Sequence, residues 1–159
     1  MNKFEKVSYF QYGNEANINK KAEYDCIKLP KRATKCSAGY DFFAPCDFTL
    51  NPTETIKIAT GIKAQLDDDK YLALYPRSSL GFKYRLQLDN SVGVVDSDYF
   101  NNESNEGHIF VKMTNCGTRS LNVKQGEAFA QAIVSQYFKT IDDDVDIERV
   151  GGIGSSGKR

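Results

Sequence analysis

From Tyr24 onward the chain is a string of short runs of β-forming residues, each closed by turn residues. Nowhere does it hold apolar residues at i, i+3, i+4 and i+7 for three turns, so it has no long amphipathic helix to build a layer from. Thr55-Ile56-Lys57-Ile58 and Ile62-Lys63-Ala64-Gln65-Leu66 alternate with period two, which turns one face of each strand to a core. Asp67-Asp68-Asp69 makes a charged turn before the run Tyr71-Leu72-Ala73-Leu74-Tyr75. Val92 to Val95, Ile109 to Met113 and Ala128 to Val134 supply further runs. This pattern predicts an all-β fold, a sandwich or barrel. One short helix is expected around Ser79 to Tyr84, after Pro76 ends a strand. Residues 1–22 are polar with scattered aromatics and read as an extra arm or a first edge strand.

At 159 residues the chain fits one domain with a self-sufficient core. Lys plus Arg and Asp plus Glu both number 21, and a balanced charge argues against a general nucleic-acid binder, though not against a local pocket for a phosphorylated ligand. No apolar run approaches the roughly 20 residues of a membrane-spanning helix, and Met1 to Phe10 lacks the apolar centre of a secretion signal. The four cysteines, at 26, 36, 46 and 116, are too far apart for a Cys-x-x-Cys motif, and a single histidine, His108, is present. They are expected to be free thiols in a reducing cytoplasm.

Five segments carry candidate chemistry. Ala38-Gly39-Tyr40-Asp41 reads equally as a strand leaving a turn. In Tyr75-Pro76-Arg77-Ser78-Ser79-Leu80-Gly81, a guanidinium and two hydroxyls precede a helix start, which suits phosphate. The alternative is a plain serine cap with Arg77 in a salt bridge. In Asn90-Ser91-Val92-Gly93-Val94-Val95-Asp96-Ser97-Asp98-Tyr99, an apolar hairpin-like run ends in two carboxylates. A carboxylate there can orient and deprotonate a water, or can bond local backbone N–H groups in a turn. Gln131, in an apolar strand, needs partners for its amide, from backbone or from ligand. The tail holds four glycines between 151 and 157. It forms neither strand nor helix and is expected to be mobile, either as a frayed end or as a loop whose N–H groups, with Arg149 and Lys158 beside them, close over a ligand.

In this order and spacing the five segments, from about Tyr24 to Gly157, resemble the trimeric all-β dUTPase family (deoxyuridine triphosphate nucleotidohydrolases). The resemblance implies a jelly-roll-like β-barrel over residues 1–140 and a flexible arm over 141–159 that closes an active site of a homotrimer. It implies hydrolysis of dUTP to dUMP and pyrophosphate with Mg²⁺. Asp96 matches the general base, Tyr99 the residue beneath the deoxyribose that excludes a 2′-hydroxyl, and Asn90 with Gly93, Val94 and Val95 the hairpin that reads uracil. Ser78, Ser79 and Gln131 match phosphate binders. Arg77 and Asp41 match a pair near the phosphates, Asp41 meeting the ion through water. Arg149, Ile153, Gly154, Ser155 and Ser156 match the closing tail. No nucleic acid or membrane partner is implied.

The chain departs from the family pattern at three places: Ile153 stands where an aromatic stacks on the base, Ala128 where a basic residue is common, and residues 100–107 form a longer excursion than usual. Two alternatives remain. A dCTP deaminase shares the fold and the Arg-Ser-Ser-Leu-Gly string but needs a proton-shuttling Glu in a later strand, and Glu106 is the nearest candidate. The other is a dUTP-responsive regulatory protein that meets a partner through the 100–107 excursion.

Overall fold

The computed structural model describes residues 1–16, 20–147, 149 and 151–152. The alternating runs are strands: β1 Lys3–Lys6, β2 Lys31–Arg32, β3 Tyr40–Phe43, β4 Phe48–Leu50, β5 Thr55–Ala59, β6 Ile62–Gln65, β7 Lys70–Pro76, β8 Leu86–Leu88, β9 Gly93–Asp96, β10 Phe110–Asn115, β11 Leu121–Val123 and β12 Ala128–Gln136. Every pairing is antiparallel. The largest sheet runs β2-β3-β12-β7-β9; smaller sheets are β5-β10-β8, β1-β6 and β4-β11. Phe42, Phe129, Leu50, Leu72, Met113 and Leu121 fill the space between them and are almost wholly buried. This is the expected all-β, jelly-roll-like architecture.

The expected helix is α3, Ser78–Tyr84, following Arg77 in extended backbone and ending at Arg85 in the left-handed region (φ 51°). The expectation of a single helix is corrected by α1, Tyr9–Ala16, and α2, Lys21–Asp25. Both are too short, and Gly13 too helix-averse, for a three-turn apolar stripe to show in the sequence. The segment before residue 22 also packs as part of the core. Phe4 of β1 lies across Phe42 at 5.8 Å, Tyr12 is fully buried against Tyr24 and His108, and the Tyr24 hydroxyl donates to Val7 O at 2.6 Å. Among the described residues no helix is long and apolar enough to cross a membrane.

Candidate active site

Register assembles the first half of the site. Asp41 on β3 lies opposite Gln131 on β12, which lies opposite Tyr75 on β7. Three segments far apart in sequence thus form one row. Arg77 Nε meets Asp41 Oδ1 at 3.0 Å, and Arg77 Nη1 donates to Ala128 O at 3.4 Å. Position 128 therefore contributes its backbone carbonyl to this cluster. Gln131 Nε2 donates to Pro76 O at 3.0 Å, so backbone satisfies one end of the amide. Its Oε1 occupies the space above Gly39, where any Cβ would come within 2.6 Å of it. Glycine at 39 is what lets the first segment pack against the fourth. No side-chain bond caps α3, so neither Ser78 nor Ser79 serves as a cap. Both instead line a cavity of about 530 Å³ with Gly39, Asp41, Arg77 and Gln131.

The second half lies on β9. Its alternation buries Gly93 and Val95 and turns Val94 and Asp96 outward. The 3₁₀ turn Ser97–Tyr99 then folds Tyr99 back until it is 7% exposed. Asn90, Gly93, Val94, Val95, Asp96 and Tyr99 all line one cavity of about 280 Å³, closed by Leu74, Ile109, Phe110 and Arg149. Asp96 makes no capping bond to the turn that follows it. Its Oδ2 accepts from Arg149 Nη2 at 2.7 Å while Asp98 Oδ1 accepts from Arg149 Nε at 2.8 Å. The same guanidinium lies 5.7 Å from the centre of the Tyr99 ring.

These halves sit at opposite ends of β7. Asp96 is opposite Tyr71 and Gln131 opposite Tyr75. Four residues at roughly 3.3 Å, and two strand spacings of about 4.8 Å, separate their backbones by roughly 16 Å. One chain therefore carries two separate cavities, one holding Asp96 and Tyr99 and the other Asp41, Arg77 and Gln131.

Ile153, Gly154, Ser155 and Ser156 lie outside the described residues. Leu74, Ile109 and Phe110 line the Asp96 cavity and were not singled out by sequence, whereas Asp98 was read there as the second of two carboxylates. Glu106 accepts from Ser8 N at 2.8 Å and from Ser8 Oγ at 2.5 Å, facing α1 and contributing nothing to the Asp96 cavity. Among the described residues no three His, Cys, Asp or Glu side chains converge as a metal cage, and all four cysteines are free.

A family model described as dUTPase matches residues 25–157. The deoxyuridine 5′-triphosphate nucleotidohydrolase of Lactococcus lactis subsp. lactis (strain IL1403) is 41% identical over 133 residues, covering 82% of this chain and 89% of the relative. That of Aeromonas salmonicida (strain A449) is 38% identical over 139 residues, covering 82% and 88%. Among solved structures, the dUTPase from Streptococcus mutans superimposes with a TM-score of 0.68 at 32% identity, covering 86% of this chain and 97% of that one. A dUTPase mutant from phage phi11 of S. aureus, described with a structural Mg(II) ion, shares the fold with a TM-score of 0.67 at 16% identity, covering 92% and 97%.

Proposed function

This chain belongs to the dUTPase family, and from that premise we propose that it hydrolyses dUTP to dUMP and pyrophosphate at sites shared between copies of itself. The observation that carries the reading is the convergence of Asn90, Gly93 to Asp96 and Tyr99 on one cavity with a half-exposed carboxylate at its rim. Edge N–H and C=O groups of β9 can pair with a uracil, and the Tyr99 ring supports the sugar. Asp96 takes a proton from water as the water oxygen bonds to the α-phosphorus, and the bond from that phosphorus to the bridging oxygen breaks. Pyrophosphate leaves, its charge met by Arg77, Ser78, Ser79 and Gln131. For Asp96 to reach the water, Arg149 exchanges Asp96 Oδ2 for a phosphate oxygen, a more highly charged acceptor.

The Asp96 pocket and the Arg77 cluster lie toward opposite ends of β7, and the family resemblance supports a homotrimer in which the Asp96 pocket of one copy faces the Arg77 cluster of the next. Residues 141–159 act as the arm that closes a site. The anion cavity fits Mg²⁺ held by a polyphosphate: its one carboxylate, Asp41, suits contact through water, as this ion keeps much of its hydration. When bound, Mg²⁺ would offset triphosphate charge and that of the leaving group. Four free thiols, three of them exposed, suit a reducing cytoplasm.

The test is pyrophosphate release from dUTP, dTTP, dCTP and UTP in parallel, with ammonia measured on dCTP. Release from dUTP, well above the other three, is expected. Ammonia from dCTP would favour the deaminase reading, and stoichiometric dUTP binding without release would favour the regulatory one. The placement of Glu106 against Ser8 and away from the pocket speaks against the former.

A further inference from the structure

Resting on the reading of the Asp96 cavity as a dUTP site, we propose that Phe110 is the wall that limits the size of the base, and that His108 is the positioning residue that holds it. A second cavity of about 420 Å³ adjoins the first. The two share Leu74, Asn90, Gly93 and Phe110, whereas Asp96, Tyr99 and Arg149 line the first alone. The shared wall therefore stands at the end of the pocket where Asn90 and β9 meet the base, away from the sugar and the phosphates. Beyond it, the buried Leu88 and Val111 give the second cavity an apolar lining. A uracil that pairs with β9 through O2, N3 and O4 turns its C5–C6 edge away from that strand. This edge carries no polar atom, and an aromatic ring such as Phe110 suits it. Of the four shared residues, Phe110 is the one whose side chain sets the width of the opening. Gly93 has no side chain, and Asn90 is a short polar residue of the hairpin itself. Leu74 lies opposite Gly93 in the β7–β9 register, so close that a Cβ on Gly93 would come within 3.0 Å of it.

Two neighbours hold the Phe110 ring. Lys57 Nζ lies 4.1 Å from its centre, a cation on an aromatic ring. The His108 ring lies 4.3 Å from it, centre to centre. His108 is fixed in its turn. It is wholly buried, and its Nε2 accepts from Gly61 N at 2.9 Å. Gly61 O accepts from Val7 N at 3.0 Å, and the buried Tyr12 of α1 packs 6.2 Å from the imidazole. Gly61 has φ 71°, and a Cβ there would run into Ile27 and Tyr12, so glycine is what lets the N-terminal segment close on His108. Val7 and Tyr12 precede residue 25, where the family match begins. The wall is thus backed by residues outside that match. An aliphatic side chain at 108 would leave the Gly61 N–H unmet, and a glutamine would meet it without a ring. Histidine supplies both the acceptor and the flat surface, although its Nδ1 finds no partner among the described residues.

The test separates the ring from the bond in the full-length protein. Equilibrium binding of the α,β-imido analogue of dUTP and of its 5-methyl counterpart is measured, together with pyrophosphate release from dUTP and dTTP. Phe110→Ala should cut the preference for the unmethylated nucleotide about tenfold, the scale of one methyl group in a fitted pocket, through tighter binding of the 5-methyl form. Phe110→Leu, a smaller change, should cut it about threefold and decides the matter if the alanine protein does not fold. His108→Gln keeps an acceptor for Gly61 N and loses the ring; it should cut the preference about fivefold with the melting temperature nearly unchanged. His108→Phe keeps a ring and loses the acceptor; it should lower the melting temperature by about 5 °C and leave the preference within about twofold of wild type. An unchanged preference in the Phe110 variants overturns the wall. A preference kept in His108→Gln, or lost in His108→Phe, overturns the role of His108. Binding decides both without catalysis, so wild-type protein that binds the dUTP analogue selectively yet releases no pyrophosphate overturns the proposed hydrolysis alone.

Discussion

A base beside a polyphosphate has to be held and yet remain reachable. Asp96 is bonded to Arg149 but half exposed, whereas Arg149 is 14% exposed, so the guanidinium is the anchored partner and the carboxylate the accessible one. Asp96→Asn keeps the shape and one acceptor oxygen but removes the proton acceptor. We expect kcat to fall at least ~100-fold with KM nearly unchanged, the usual scale for a general base; steady-state kinetics check it. His108 makes a second residue-level prediction. It is fully buried, accepts from Gly61 N at 2.9 Å through Nε2 and leaves Nδ1 without a partner among the described residues. Burial first, and the Lys57 charge second, push it down to about 4 from 6.5. The unfolded chain takes up this proton near 6.5 and the folded chain only near 4, so the stabilisation is complete above 6.5 and is lost as pH falls to 4, by about 3 kcal/mol. His108 is the single histidine, so its imidazole signal in proton NMR reports this directly, still neutral at pH 5.5. At this scale sequence marked Asp96, Arg77, Ser78 and Gln131 by chemical type. It marked Gly39 only as part of a segment leaving a turn, since the space its missing side chain leaves to Gln131 exists only once β3 and β12 pair.

Among the elements, β5 and β6 were legible because a one-face-buried strand repeats every two residues, whereas β7 and β12, central in the largest sheet, showed as continuous apolar runs bounded by turn residues. Helices α1 and α2 were not, since neither is long enough to show a stripe, and what holds them is tertiary: Tyr12, Tyr24 and the Ser8–Glu106 bonds. The arm is the element with least packing. Ile141, Val145 and Ile147 are exposed, and the contacts described for its last residues run through Arg149 and Gly152. Deleting residues 150–159 should therefore leave the oligomer folded, with a melting temperature within about 2 °C of wild type, while activity falls to a few per cent. Retention of full turnover would remove the arm from the mechanism.

For the whole molecule, β7 carries the Asp96 pocket toward one end and the Arg77 cluster toward the other. No sequence pattern could show it, because it depends on the β7–β9 and β7–β12 registers together. Large apolar side chains left exposed on the single chain, Phe82 at 90% and Phe138 at 86%, are the kind of surface that assembly covers. The most direct measurement is subunit complementation. Asp96→Asn and Arg77→Ala proteins, each inactive alone, are unfolded, mixed in equal amounts and refolded together, and pyrophosphate release from dUTP is assayed. If each site takes Asp96 from one copy and Arg77 from the next around a three-fold ring, every mixed trimer regains one intact site, and the mixture recovers about one quarter of wild-type activity. If mixed trimers form, as mass spectrometry would verify, and the mixture stays as inactive as its parents, the shared site is contradicted.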